Sequence, residues 1–173
     1  MFLRTFIIVL LLFQAGSALA GSMEAGDVHV MWNSNDDLKE FNDNVYFSSS
    51  FSLFGGSSGL TVKEEVQNKI TRIYAKVQQI LRMPMPGIKV NLQILHSAAE
   101  VRAVYLRQYR RRVEFIAFYS PKANTVYISA PDVTLRVVGH ELGHSVIEHY
   151  FHPSPPVNIH ELMAQYVEKY IDE

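Results

Sequence analysis

The sequence predicts an α+β domain, a small sheet packed on helices. Three observations carry that prediction. Residues 61–83 place Val62, Val66, Ile70, Ile73, Tyr74, Val77, Ile80 and Leu81 along one helical stripe. Residues 88–94 alternate Ile88, Val90, Leu92 and Ile94 with Lys89, Asn91 and Gln93, the period of a half-buried strand. Two further strand patterns and three further helices then follow in sequence.

The elements follow in order. Residues 1–20 read as a signal peptide: Arg4 supplies a positive start, Phe6 to Phe13 an apolar core, and Ala18-Leu19-Ala20 a cleavage site. The apolar run is short for a membrane span. The mature chain is then expected to begin near Gly21, in a periplasm or the medium, meeting the membrane only during export. No cysteine is present among the 173 residues. Disulfides, cysteine-held metal and a lipidated cysteine are therefore excluded. Residues 21–60 are poor in helical pattern and rich in Ser, Gly, Asn and Asp, so they read as an N-terminal extension. A prosegment is the alternative, with Asp27, His29, Asp36 and Asp37 capping a site elsewhere. Gly55-Gly56-Ser57-Ser58-Gly59 reads as a loop.

The domain proper is expected over 61–173. Thr61 and Glu64 form a capping box that starts the first long helix, and Met83-Pro84-Met85-Pro86-Gly87 ends it. After the strand at 88–94 comes a helix over 98–111, with Val101, Val104, Tyr105 and Tyr109 inward. A second strand spans 113–119, a turn covers 121–124, and a third strand runs over 125–129. An apolar helix follows, with Ser129 as its candidate N-cap, and His152-Pro153-Ser154-Pro155-Pro156 breaks it. A last helix opens near Asn158. Roughly 150 mature residues suit one domain with a sizeable core.

The chemistry concentrates in His140-Glu141-Leu142-Gly143-His144. Residues four apart share a helix face, so the two imidazoles can hold one metal ion from one side. Glu141 stands about 100° around the helix and can face a water instead of the metal, the place of a general base. Chance occurrence on an amphipathic helix is the alternative. The apolar flanks Val133, Leu135, Val137, Val138, Leu142, Val146 and Ile147 speak against a surface helix with accidental histidines.

A catalytic zinc site needs a third protein ligand. A His-x-x-Gly-x-x-His continuation is absent, because Ile147 and Tyr150 occupy its Gly and His positions. Glu161, on the last helix with sixteen residues between it and His144, is the main candidate. Asn158 and Glu161 also fit a capping box, which would compete for the carboxylate. His160 and His152 are rival ligands, and His149 reads as a partly exposed surface residue.

His-Glu-x-x-His followed by Glu161-x-x-Ala164-x-Tyr166 resembles the gluzincin metallopeptidases, and the chain length is most similar to their smallest members, the minigluzincins. The resemblance covers roughly residues 113–173. It implies a minimal zincin-like domain, Zn2+ held by His140, His144 and Glu161, and Glu141 as general base and acid in peptide-bond hydrolysis. It also implies an edge strand that binds extended substrate; Thr125–Ser129 is the candidate, with an interior hairpin strand as the alternative. The chain departs from the pattern at Gln165, where many members place an Asp that orients a metal-bound histidine. A neutral amide there would lower ligand basicity.

The expected activity is thus that of an exported zinc metalloendopeptidase, acting as a monomer on a peptide or protein. An exported zinc-binding module that works through partner binding is the alternative, and a metal-free helical-hairpin protein is a third reading. A net charge of −1 gives no electrostatic case for a nucleic-acid partner. Arg107, Arg110, Arg111 and Arg112 read as the solvated end of a helix, favoured by its dipole. The aromatic residues of Val113–Tyr119 read as core, and Tyr166 as packing.

Overall fold

A computed structural model describes residues 20–47 and 59–173. Nearly all of the expected signal peptide and most of the Gly55–Gly59 loop lie outside the described residues. Among the described residues, no helix is long and apolar enough to cross a membrane.

The architecture is α+β, as expected, and the sheet extends beyond the three strand patterns read above. It has five, in the order β1-β2-β3-β5-β4. Strands β1 (Gly21–Ala25) and β2 (Val28–Trp32) form an antiparallel hairpin. Gly26, at φ +63°, supplies the left-handed turn residue that this two-residue connection requires. β2 runs parallel to β3 (Val90–Leu95), and β3 runs parallel to β5 (Thr125–Ser129). β4 (Ala117–Ser120) closes the order as an antiparallel edge.

This corrects the reading of residues 21–60 as an extension. Residues 21–32 are two strands of the sheet, and helix α1 (Asn35–Asn44) packs behind them. Val28, Val30 and Phe41 are fully buried in the main core. Two of the four residues named for a prosegment role are engaged elsewhere: His29 pairs with Glu24, and Asp37 pairs with His96.

Helix α2 (Val62–Leu81) begins with the expected capping box, Thr61 and Glu64 each satisfying the other's backbone. Its stripe buries Val66, Ile70, Ile73, Tyr74 and Val77. β3 buries Val90, Leu92 and Ile94 but starts two residues late, leaving Ile88 exposed. Helix α3 (Ala98–Tyr109) buries Val101 and Val104, while Tyr109 is partly exposed. The four arginines at its end are exposed, consistent with a solvated terminus.

Alternation sorts the two faces of the sheet. Val126, Ile128 and Ala117 join the main core with α2 and helix α4 (Leu135–Tyr150). Tyr127, Phe118 and Leu95 point the other way, into a smaller cluster with α3. Each fully buried Ile, Leu or Val here contributes about 1.5–3 kcal/mol.

Two strand expectations need correction. The second strand is Ala117–Ser120 and not 113–119, with the Ile116 carbonyl still accepting the Ser129 amide just before it. The third, Thr125–Ser129, is not an edge: it is flanked by β3 and β4, so the interior-hairpin alternative holds. Exchange of a full set of ladder bonds on both sides leaves β5 no free edge. The sheet's edge strands are β1 and β4, and β4 is the one that packs on α4.

α4 is capped by Thr134, whose hydroxyl accepts from the Val137 amide, and not by Ser129. Ser129 instead donates to Asp132 within the preceding turn. Helix α5 (Val157–Tyr170) folds back along α4 as the hairpin geometry demands. Gly139 and Gly143 make the approach close. A Cβ on Gly139 would stand 3.0 Å from Ile171, and one on Gly143 3.4 Å from Val167.

Candidate metal centre

α4 lies under the sheet edge and presents His140 and His144 one turn apart. Leu142, Val138 and Val146 anchor its opposite side in the core. The apolar flanks therefore fix the rotation of the helix, and that rotation aims both imidazoles at α5.

The three expected ligands converge. His140 Nε2 and His144 Nε2 are 3.1 Å apart. Glu161 brings Oε2 to 3.6 Å from the first and Oε1 to 3.5 Å from the second. Donors bound at 2.0–2.2 Å to a tetrahedral ion stand about 3.3–3.6 Å from one another. The two Glu161 distances fall in this range and the Nε2 pair stands slightly closer, so the donor set of two imidazoles and one carboxylate suits Zn2+. His144 is also held neutral, as a ligand must be: burial, then His140 and His160, push its pKa down to about 3.

Glu161 is free for this role. α5 begins at Pro156 without any side-chain cap bond, so Asn158 and Glu161 do not form a capping box. His152 is exposed in the connection and is not brought to the site. His149 is half-buried and bonds to Asn124 Oδ1 at 2.8 Å. His160 is close, but on the wrong side for a ligand: its Nδ1 faces Nδ1 of His144, 2.9 Å away, behind the converging Nε2 atoms.

Glu141 is buried beneath β4. Its Oε2 accepts the Tyr119 backbone amide at 2.8 Å. Burial raises its pKa to about 8, the Tyr119 amide opposes that rise, and the Glu161 and Glu168 charges add to it. A carboxyl held in this range exchanges protons near neutral pH, which suits a group that takes and returns one.

Gln165 is not the partner of a ligand histidine. It is exposed. Glu168, one turn further along α5, reaches His140 Nδ1 at 3.2 Å instead. The expected loss of ligand basicity is thereby corrected: a carboxylate orients His140 after all, from a different position. Sequence reasoning missed it, although Glu161, Ala164 and Glu168 share one helical face.

A cleft of about 640 Å³ opens over the cluster. Tyr105, Tyr109, Phe118 and Tyr119 form one wall. Phe115, expected in the core, is partly exposed at the cleft rim. A smaller recess beyond His140 is lined by Glu114, Ile116, Val137 and Glu168. Tyr166 is half exposed and leans on Tyr170, away from the ligands.

No family model, curated protein or solved structure matches the chain.

Proposed function

We propose that the chain is a zinc-dependent endopeptidase that works outside the cytoplasm. The observation that carries this reading is the convergence of His140 Nε2, His144 Nε2 and a Glu161 carboxylate at metal-ligand spacing. The site supplies chemistry of its own beside it: an acid-base group in Glu141 and a sheet edge over a cleft.

Zn2+ held there would supply Lewis acidity, polarising a peptide carbonyl and acidifying water. The other roles fall to the chain. Glu141 takes a proton from the attacking water and later gives it to the leaving amine. Glu161, His140 and His144 would hold the metal, and the cleft opens over them. Tyr119 keeps one Glu141 oxygen fixed, so the second is the one that moves the proton.

β4 is the strand that would align substrate. Along β4, successive residues face β5 and the open edge in turn. Phe118 and Ser120 face β5; Ala117 and Tyr119 face the edge. The Tyr119 amide is taken by Glu141, which leaves Ala117 and the Tyr119 carbonyl to bind an extended peptide by main-chain bonds.

The test is zinc stoichiometry of the purified chain beside Glu161→Ala, with peptide-library hydrolysis as a second readout. About one tightly held zinc is expected, weakened more than about 100-fold in the variant, beyond what an outer-sphere partner costs. Wild-type chain that retains no zinc after dialysis would sink this reading. Zinc held without hydrolysis of any library peptide would favour the binding-module reading.

A further inference from the structure

Behind His144, on the side away from the converging nitrogens, stand two groups that the reaction above does not use. His160 places Nδ1 2.9 Å from His144 Nδ1. The ring centres are 5.1 Å apart with 27° between planes, so the nitrogens are far closer than the rings: the two imidazoles meet edge to edge. The other His160 nitrogen, Nε2, is buried with no hydrogen bond among the described residues. Its facing group is Glu148 Oε2, 3.4 Å away. Glu148 is itself steadied by the Ser154 hydroxyl, which donates to the same oxygen at 2.6 Å.

We infer that Glu148 and His160 form a positioning relay that fixes His144 as a metal ligand. The inference rests on the zinc reading above. Its logic is tautomeric. A ligand using Nε2 must carry its proton on Nδ1. His144 Nδ1–H then donates to His160 Nδ1, which must be bare. His160 accordingly carries its proton on Nε2, which faces the Glu148 carboxylate at 3.4 Å. One arrangement of protons satisfies all three residues, and it is the one that leaves His144 Nε2 open to metal. His140 has a single such partner in Glu168. The two ligands are therefore oriented from opposite sides, one directly by a carboxylate and one through an intervening imidazole.

The placement follows from the helices. His144 and Glu148 are one turn apart on α4, so they share a face. His160 enters between them from the first turn of α5, next to Glu161. The same turn of α5 thus delivers a ligand to one side of the His144 ring and its orienting partner to the other.

The experiment is zinc affinity by chelator competition on the full chain, for wild type, His160→Ala, His160→Asn, Glu148→Ala and the Glu148→Ala/His160→Ala double variant. Long-range 15N NMR of the zinc-loaded histidine rings accompanies it. Loss of His160 should weaken zinc about 10–100-fold, the range for orienting partners. His160→Asn should recover part of the loss, since its side-chain oxygen can accept from His144. Glu148→Ala should weaken zinc in the wild-type background and add little once His160 is gone, the signature of a shared chain of bonds. The NMR should show His144 protonated at Nδ1 and His160 at Nε2. Affinity within about twofold of wild type in His160→Ala, or simple additivity of the two losses, would overturn the relay. His160 protonated at Nδ1 would overturn it equally. If His160→Ala fails to fold, Glu148→Ala and the wild-type NMR decide the matter. Wild type without zinc overturns the relay together with the zinc reading, whereas tight wild-type zinc with an unaffected His160→Ala removes the relay alone.

Discussion

The Tyr119 backbone amide donates to Glu141 Oε2 across 2.8 Å, joining the free edge of the sheet to the buried carboxyl of the metal helix. A carboxyl at this depth is pushed towards its neutral form by desolvation. The edge amide counters that push and fixes one oxygen. Strand and carboxyl are thus positioned by the same bond, so under the proposed function a peptide lying along β4 would reach Glu141 in a set geometry. The bond also bears on why β4 has no further strand beside it. Its edge-facing amide at Tyr119 is spent on the helix below, not on a further strand.

Glu141→Gln is expected to abolish hydrolysis while leaving zinc in place. Gln keeps the shape and still accepts the Tyr119 amide through its carbonyl oxygen, but it cannot take a proton. General acid-base groups contribute about 10²–10⁴ in rate, so activity should fall by that factor. Zinc content by elemental analysis should remain near wild type, since Glu141 is not among the converging donors. Parallel loss of zinc would show that Glu141 holds the metal and would remove it as the base.

Glu168 and Gln165 separate on the same helix. Glu168→Gln removes the charge that meets His140 Nδ1 at 3.2 Å, and Glu168→Ala removes the acceptor altogether. Zinc affinity should fall modestly in the first and about 10–100-fold in the second. Gln165→Ala should change affinity by less than twofold or so, because its side chain is exposed and takes no part in orienting either ligand. Equal losses at both positions would contradict the observed partner of His140.

What could be read from residues and what could not divides along local and non-local lines. The α2 capping box, the alternation of β3, the limits of β5 and the histidine pair on α4 are all set by neighbours within a few residues, and each is legible. The hairpin at 21–32 was not. Its strands are five residues each, broken by Ser, Glu and His, and the second is held in the sheet by pairing with Val90–Ile94, some sixty positions away. The turn residues Gly26-Asp27 between Ala25 and Val28 were the one local signal. Edge against interior is also non-local: β5 is interior because β3 and β4 reach it from both sides. Glu148 and Glu168 were legible in principle. Each lies one or two helical turns from a ligand, on the ligand's own face. Neither follows from the family pattern, which places the orienting group at Gln165.

Gly139 and Gly143 should respond differently to alanine, although both lie where α5 crosses α4. Alanine in a helix interior gains about 1 kcal/mol over glycine. At Gly143 the new Cβ meets Val167 at 3.4 Å, an ordinary contact, so Gly143→Ala should be neutral or slightly stabilising. At Gly139 it meets three atoms of Ile171 at 3.0–3.5 Å, and overpacking costs about 1–3 kcal/mol. Gly139→Ala should therefore be net destabilising by about 1 kcal/mol in urea titrations. Displacement of α5 should also move Glu161, weakening zinc in that variant and not in the other. Equal stability of the two would mean that Ile171 yields without strain.

His96 offers a pH test away from the metal. Its Nδ1 lies 2.8 Å from Asp37 Oδ1, tying the turn after β3 to α1. Asp37, by hydrogen bond and charge, raises the His96 pKa above its ordinary 6.5, with Glu100 and Glu40 adding smaller attractions against slight desolvation. A raised folded-state value means that the folded chain binds the proton more tightly than the unfolded one. The stabilisation is therefore fully present below pH 6.5 and is lost as pH rises through the folded value. The ring is largely solvent-exposed, so the effect on global stability is small and the titration itself is the sharper readout. In an NMR titration His96 should midpoint above 6.5 in wild type and return towards the ordinary value in Asp37→Asn. The weak decline of the urea midpoint between pH 6 and 8 should flatten in the same variant. An unchanged His96 midpoint in Asp37→Asn would show that the pair does not persist in solution.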